Sequence, residues 1–144
     1  MIIVPIDGSS HSLKALDYAI SMANHYEASL LLLNVQREKE STLSFENTDK
    51  QSEKEILIKE GNDQLQEAIA FVADKVPYET KVRIGVPTIE IAEEAKEKEA
   101  VSIVMGSRGN GPVISAILGS VSYGVLHLAP CPVTVVPDHS YKHV

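Results

Sequence analysis

Five short apolar runs, at residues 2–6, 29–35, 78–84, 101–105 and 132–136, are separated by longer segments whose apolar residues recur at helical spacing. No other feature restricts the fold as tightly. Strands joined through helices run parallel, and a parallel sheet must be covered on both faces. The first run, Ile2-Ile3-Val4-Pro5-Ile6, is apolar throughout, as a strand buried on two sides requires. The second is rich enough in leucine to suit a helix, but it is short and follows directly on Glu27-Ala28 at the end of a helical pattern, which favours a strand. Residues 78–84 alternate, the pattern of a strand near the sheet edge.

Between the runs the helical stripes are explicit. Ser9 or Ser10 caps a helix with Leu13, Leu16, Ile20 and Ala23 on one side. From about Ser52 to Lys75, Leu65, Ala68, Ile69, Val72 and Val76 oppose Glu53, Glu60, Asp63 and Glu67. Gly61 costs that helix about 1 kcal/mol against alanine unless close packing requires it. Thr88 is the expected cap of a third helix, with Ile89 and Ala92 inward and Glu93, Glu94, Lys96, Glu97 and Lys98 in water. A fourth carries Leu118, Val121, Val125 and Leu128. Residues 36–50 are polar and aperiodic and read as a loop or a helix lead-in.

Right-handed crossovers then give a single doubly wound α/β domain over residues 1–144, with five parallel strands in the order 3-2-1-4-5 and helices on both faces. In such sheets ligands bind beyond the carboxyl ends of the strands, where the winding reverses. That point joins Asp7, after the first strand, to Gly106, after the fourth.

Composition removes several classes of function. A net charge of −7, with no basic run or aromatic platform, disfavours nucleic acid and anionic membrane surfaces. No apolar run reaches the ~18 residues of a membrane span, and the N-terminus lacks a basic leader, so a cytoplasmic location is expected. The one cysteine, Cys131, stands between prolines at the entry to the last strand and reads as a structural thiol. His11, His25, His127, His139 and His143 form no metal or triad spacing, and 139–143 read as a frayed tail.

The fourth apolar run ends in Val104-Met105-Gly106-Ser107-Arg108-Gly109, and Gly119-Ser120-Val121-Ser122 follows after nine residues. Glycines at a strand end and free amides at a helix start suit a phosphate. Neither of two familiar phosphate loops accounts for the run. Gly106 and Gly111 have P-loop spacing, but Pro112 and Val113 stand where lysine and Ser/Thr are needed. Gly109, Gly111 and Ile114 fall on the dinucleotide fingerprint, and isoleucine is too large for its third position.

The run GxxG, nine residues, GS resembles the signature of the nucleotide-binding branch of the universal stress protein family. The opening Val4-Pro5-Ile6-Asp7-Gly8-Ser9 and the closing 129–136 segment, Ala-Pro-Cys-Pro-Val-Thr-Val-Val, resemble that family's first strand and last turn and strand. The resemblance covers the chain apart from roughly residues 37–55. It implies an adenine nucleotide alpha hydrolase-like fold and ATP as ligand. Gly106, Gly109, Gly119, Ser120, Val121 and Ser122 would meet phosphates and ribose. Val35 would read adenine through its main chain, with Pro5 and Ile6 as walls, and Met105 belongs to the same carried-over set. Arg108 stands at a variable position and either pairs with phosphate or faces solvent. Asp7 has two readings, a turn and cap residue or a ligand to ribose or phosphate-bound Mg²⁺. The spacer 110–118 has no basic residue, unlike many relatives, which implies weaker binding or a different lie of the triphosphate.

The resemblance implies a nucleotide-responsive stress module, homodimeric through the apolar edge 133–136, in which ATP orders the 36–50 loop. Two other readings stay open: a slow Mg²⁺-dependent ATPase or phosphotransferase, and an interaction protein of this fold that binds no nucleotide. No general base accompanies the glycines, so fast hydrolysis is not expected.

Overall fold

The computed structural model describes residues 1–38, 50–108 and 118–137. The loop expected over 36–50 therefore falls mostly outside the described residues, as do Gly109, all of the spacer but Leu118, and the tail from 138 onward. The chain runs β1 (Ile2–Pro5), α1 (Ser10–Tyr26), β2 (Leu30–Gln36), α2 (Lys50–Val72), β3 (Tyr78–Ile84), α3 (Pro87–Glu97), β4 (Ser102–Gly106), α4 (Ser120–Leu128) and β5 (Val133–Val136). All four strand pairings are parallel and the order is β3-β2-β1-β4-β5, as the crossover argument requires. No described helix is long and apolar enough to cross a membrane.

Successive residues of the central strands feed opposite cores. Ile2, Val4, Leu30, Leu32 and Val104 pack under α1 and α2. Ile3, Leu31, Leu33, Ile103 and Met105 pack under α3 and α4. Both faces are thus covered, which is why these strands read as unbroken apolar runs. Strand bounds differ from expectation by at most one residue at either end, and β3 matches at both. Val101 is 59% exposed and lies before β4, while the buried Gln36 extends β2 by one residue.

Ser9 caps α1, its hydroxyl accepting from the Ser12 amide at 3.2 Å. Gly61 is required by packing: a Cβ there would lie 2.6 Å from Val82 Cγ1 and 2.8 Å from Asn34 Oδ1. Glycine brings α2 close enough to bury Asn34 beneath it.

The expected α3 is corrected in three respects. Val86, not Thr88, is the N-cap, without a side-chain bond, because Pro87 opens the helix with its φ already fixed. Thr88 lies within the first turn, where its methyl occupies the space over Gly124 of α4. Ile89 is 48% exposed, whereas Ile91 and Ala95 are buried, so the inward face runs through 91 and 95 rather than 89 and 92. On that face Glu94 is fully buried instead of solvated. Its Oε1 accepts from Lys81 Nζ at 2.7 Å and from Arg83 Nη1 at 2.6 Å. Arg83 also reaches Glu90 Oε1 at 2.9 Å and Glu97 Oε2 at 3.3 Å. Burial pushes the Glu94 carboxyl up, but the bonds and charges of Lys81 and Arg83 outweigh it and hold the group below the usual carboxylate range. Leu128, expected on the inner stripe of α4, is 51% exposed, and Val125 carries the burial.

Cys131 is half-buried, and burial pushes its thiol up, away from the reactive thiolate.

Candidate functional site

Where the winding reverses, beyond the carboxyl ends of β1, β2 and β4, a cavity of about 590 Å³ opens. That is the size of a small-ligand site. The first strand brings Pro5, Ile6 and Asp7 to its wall, and the second brings Val35. Met105, Gly106 and Arg108 come from β4 and its exit, and Gly119, Ser120, Val121 and Ser122 from the start of α4. Every described residue singled out in the sequence as a ligand contact thus lines one space, drawn from four separate stretches of chain. Gly109 lies outside the described residues.

Both readings of Asp7 have a basis in its surroundings. Its Oδ1 accepts from the Ser9 amide at 2.9 Å and from the Ser9 hydroxyl, fastening the turn at Gly8, whose φ is +84°. The same side chain lines the cavity. Among the described residues no group of three His, Cys, Asp or Glu side chains is placed to hold a metal ion. A cation here would take most of its ligands from phosphate and water, which is the habit of Mg²⁺.

The two described glycines of the motif, Gly106 and Gly119, are held small by the protein itself. A Cβ on Gly106 would lie 3.0 Å from the His11 carbonyl oxygen and 3.1 Å from that of Arg108. One on Gly119 would lie 3.1 Å from the Ser107 carbonyl oxygen. Some donors of the motif are likewise engaged: Ser107 N–H donates to Val136 O at 3.0 Å, and Gly119 N–H to Ser107 O at 2.7 Å. Ser122 is buried and its hydroxyl donates to Gly106 O at 2.7 Å, so this side chain ties α4 to the end of β4. The amides of Ser120, Val121 and Ser122 open α4, where no carbonyl of the same helix lies four residues back. They form the positive end of the helix and border the cavity.

Sequence reasoning missed the polar part of the wall. Asn34 and Gln36 are buried on β2, and Gln64 reaches them from α2. Asn34 Nδ2 donates to Ile6 O and to Gln64 Oε1, both at 2.8 Å. Gln36 Nε2 donates to Asn34 Oδ1 at 2.8 Å and to Gln64 Oε1 at 3.2 Å. Gln36 and Gln64 line the cavity. One signal was available: an asparagine inside a leucine strand has to find hydrogen-bond partners in the core.

Comparison with known proteins places this geometry in context. The model of the Universal stress protein family matches residues 1–137. Universal stress protein YxiE of Bacillus subtilis is 40% identical over 143 residues, covering 93% of this chain and 96% of its own. Among solved structures, universal stress protein UspA from Lactobacillus plantarum superposes with a TM-score of 0.75 at 29% identity, covering 94% of this chain and 95% of its own. The universal stress protein from Archaeoglobus fulgidus in complex with dAMP superposes with a TM-score of 0.69 at 21% identity, covering 93% and 94% respectively.

Proposed function

The chain belongs to the universal stress protein family, and from that premise we propose that it binds an adenine nucleotide, ATP first among them, in the cavity at the winding reversal. The observation that carries the reading is the meeting of Asp7, Val35, Gly106 and Ser120 on one wall system. The apolar slot between β1 and β2, walled by Pro5, Ile6 and Val35, takes the base, and the opening amides of α4 take the phosphates. Asp7 serves the ribose or a Mg²⁺ carried in by the phosphates. The structure of the Archaeoglobus fulgidus protein in complex with dAMP supports an adenine nucleotide as the ligand class for this fold. In this reading the protein acts as a nucleotide-responsive regulatory module of the cytoplasm rather than as a fast hydrolase, because the described residues assigned to the phosphates are main-chain donors and Ser120, with no general base assigned beside them.

Calorimetric titration with ATP, ADP and cyclic AMP, with and without Mg²⁺, tests the reading. One-to-one saturation is expected, and ATP at a hundred times its Kd should raise stability by about 2.7 kcal/mol. An unchanged melting temperature in millimolar ATP overturns it.

The reading includes a homodimer formed through β5. This edge strand is half-buried along its whole length, and its Val133-Thr134-Val135-Val136 sequence has no charge to repel a second copy. Sedimentation at micromolar concentration should return twice the chain mass; a monomer counts against the interface.

A further inference from the structure

We infer that Gln36, locked by Asn34 and Gln64, selects the base by offering a hydrogen-bond acceptor that welcomes an amino group and rejects a carbonyl. This rests on the proposed nucleotide site and names what the site discriminates. The orientation of each amide follows from a main-chain group that has no choice of role. Ile6 O can only accept, so the asparagine must turn its nitrogen toward it, at 2.8 Å. Asn34 Oδ1 then faces the other way and demands a donor, which Gln36 Nε2 supplies at 2.8 Å. The second hydrogen of each amide nitrogen goes to Gln64 Oε1. Both hydrogens of Gln36 are therefore committed within the protein, and the polar atom it keeps without a partner among the described residues is the acceptor Oε1. Gln64, with its oxygen doubly engaged, has its amide nitrogen left to donate.

Gln36 follows Val35 on β2 and lines the same cavity as Gln64. The acceptor Oε1 of Gln36 matches adenine, whose amino group donates and neighbours a ring nitrogen that accepts. Hypoxanthine and guanine carry a carbonyl beside a ring N–H and invert that pattern. Setting their carbonyl against Gln36 Oε1 brings two acceptors together, and rotating the glutamine would break its bonds to Asn34 and Gln64. An unlocked glutamine would flip at little cost and discriminate nothing. The packing of Gly61 against Asn34 Oδ1 closes the network from above and leaves it no slack.

The test compares ATP with ITP, which differ in that amino-to-carbonyl exchange and the ring N–H that accompanies it. Wild type should bind ATP at least about tenfold more tightly. Gln36→Leu should bring the two within about twofold, chiefly by weakening ATP. Gln64→Ala, a change on the exposed face of α2, should narrow the gap while leaving the fold intact, and it decides the matter if Gln36→Leu does not fold. Equal binding of ATP and ITP by wild type, or an undiminished ratio in the variants, overturns the assignment and leaves nucleotide binding standing. Binding of neither nucleotide overturns both.

Discussion

Glu94→Gln is expected to lower stability by about 2 kcal/mol at neutral pH, the range for charged hydrogen bonds lost from a buried site. The carboxylate is fully buried and takes bonds from Lys81 and Arg83 on one oxygen, while the other oxygen has no hydrogen-bond partner among the described residues. Such a group is held in place by its cations. Removing its charge leaves Lys81 and Arg83 to turn toward solvent and toward Glu90 and Glu97, which moderates the loss. Denaturant midpoints of the two proteins give the difference directly.

The same group makes a prediction about acid. Its pKa in the fold lies below the ordinary value, so protons bind the unfolded chain more readily. The stabilisation is complete above the unfolded glutamate value of about 4.3 and is lost as the pH falls through the lower folded value. The gap between wild type and Glu94→Gln should therefore be constant from pH 7 to about 5 and close in stronger acid. A gap that persists undiminished at pH 2, or none at pH 7, shows that the ion cluster contributes no net stability.

Glu94 also marks where sequence reading fails. The strand order and the meeting of Asp7 with Gly106 were legible, because apolar runs, helical stripes and crossover handedness depend only on the order of residue types along the chain. The α3 face was not. Ile89 with Ala92 and Ile91 with Ala95 are two stripes of similar quality, and the second carries Glu94, which local pattern assigns to water. Only the arrival of Lys81 and Arg83 from β3 makes a buried carboxylate tolerable, and that contact is set by the sheet. The amide network was hidden for the same reason: Gln64 reads as one more polar residue on the outer face of α2 until α2 is laid across the end of β2. Gly106 and Gly119 line the cavity at the winding reversal, but no local pattern tells what each glycine faces.

That last point determines what Gly106→Val does. A side chain at this position is expected to cost about 3 kcal/mol or more in the absence of any nucleotide, the upper end of overpacking in a close-packed interior. The obstacles are the carbonyl oxygens of His11 and Arg108, at 3.0 and 3.1 Å from the first added carbon, and both are main-chain atoms that no change of rotamer removes. Valine adds two methyls beyond that carbon. Relief requires shifting the first turn of α1 away from β4, and Ser12 and Ser9 pin that turn by their cap bonds. Displacing Gly106 also strains the bond it accepts from the buried Ser122 hydroxyl at 2.7 Å, so the opening of α4 moves with it. Loss of ATP binding in this variant would accordingly come with loss of fold, and the two are separated by urea denaturation without ligand. A normal midpoint together with abolished binding would mean that the glycine is kept for phosphate alone; a midpoint well below wild type means that the same missing side chain serves the packing of α1 on β4 before any ligand arrives.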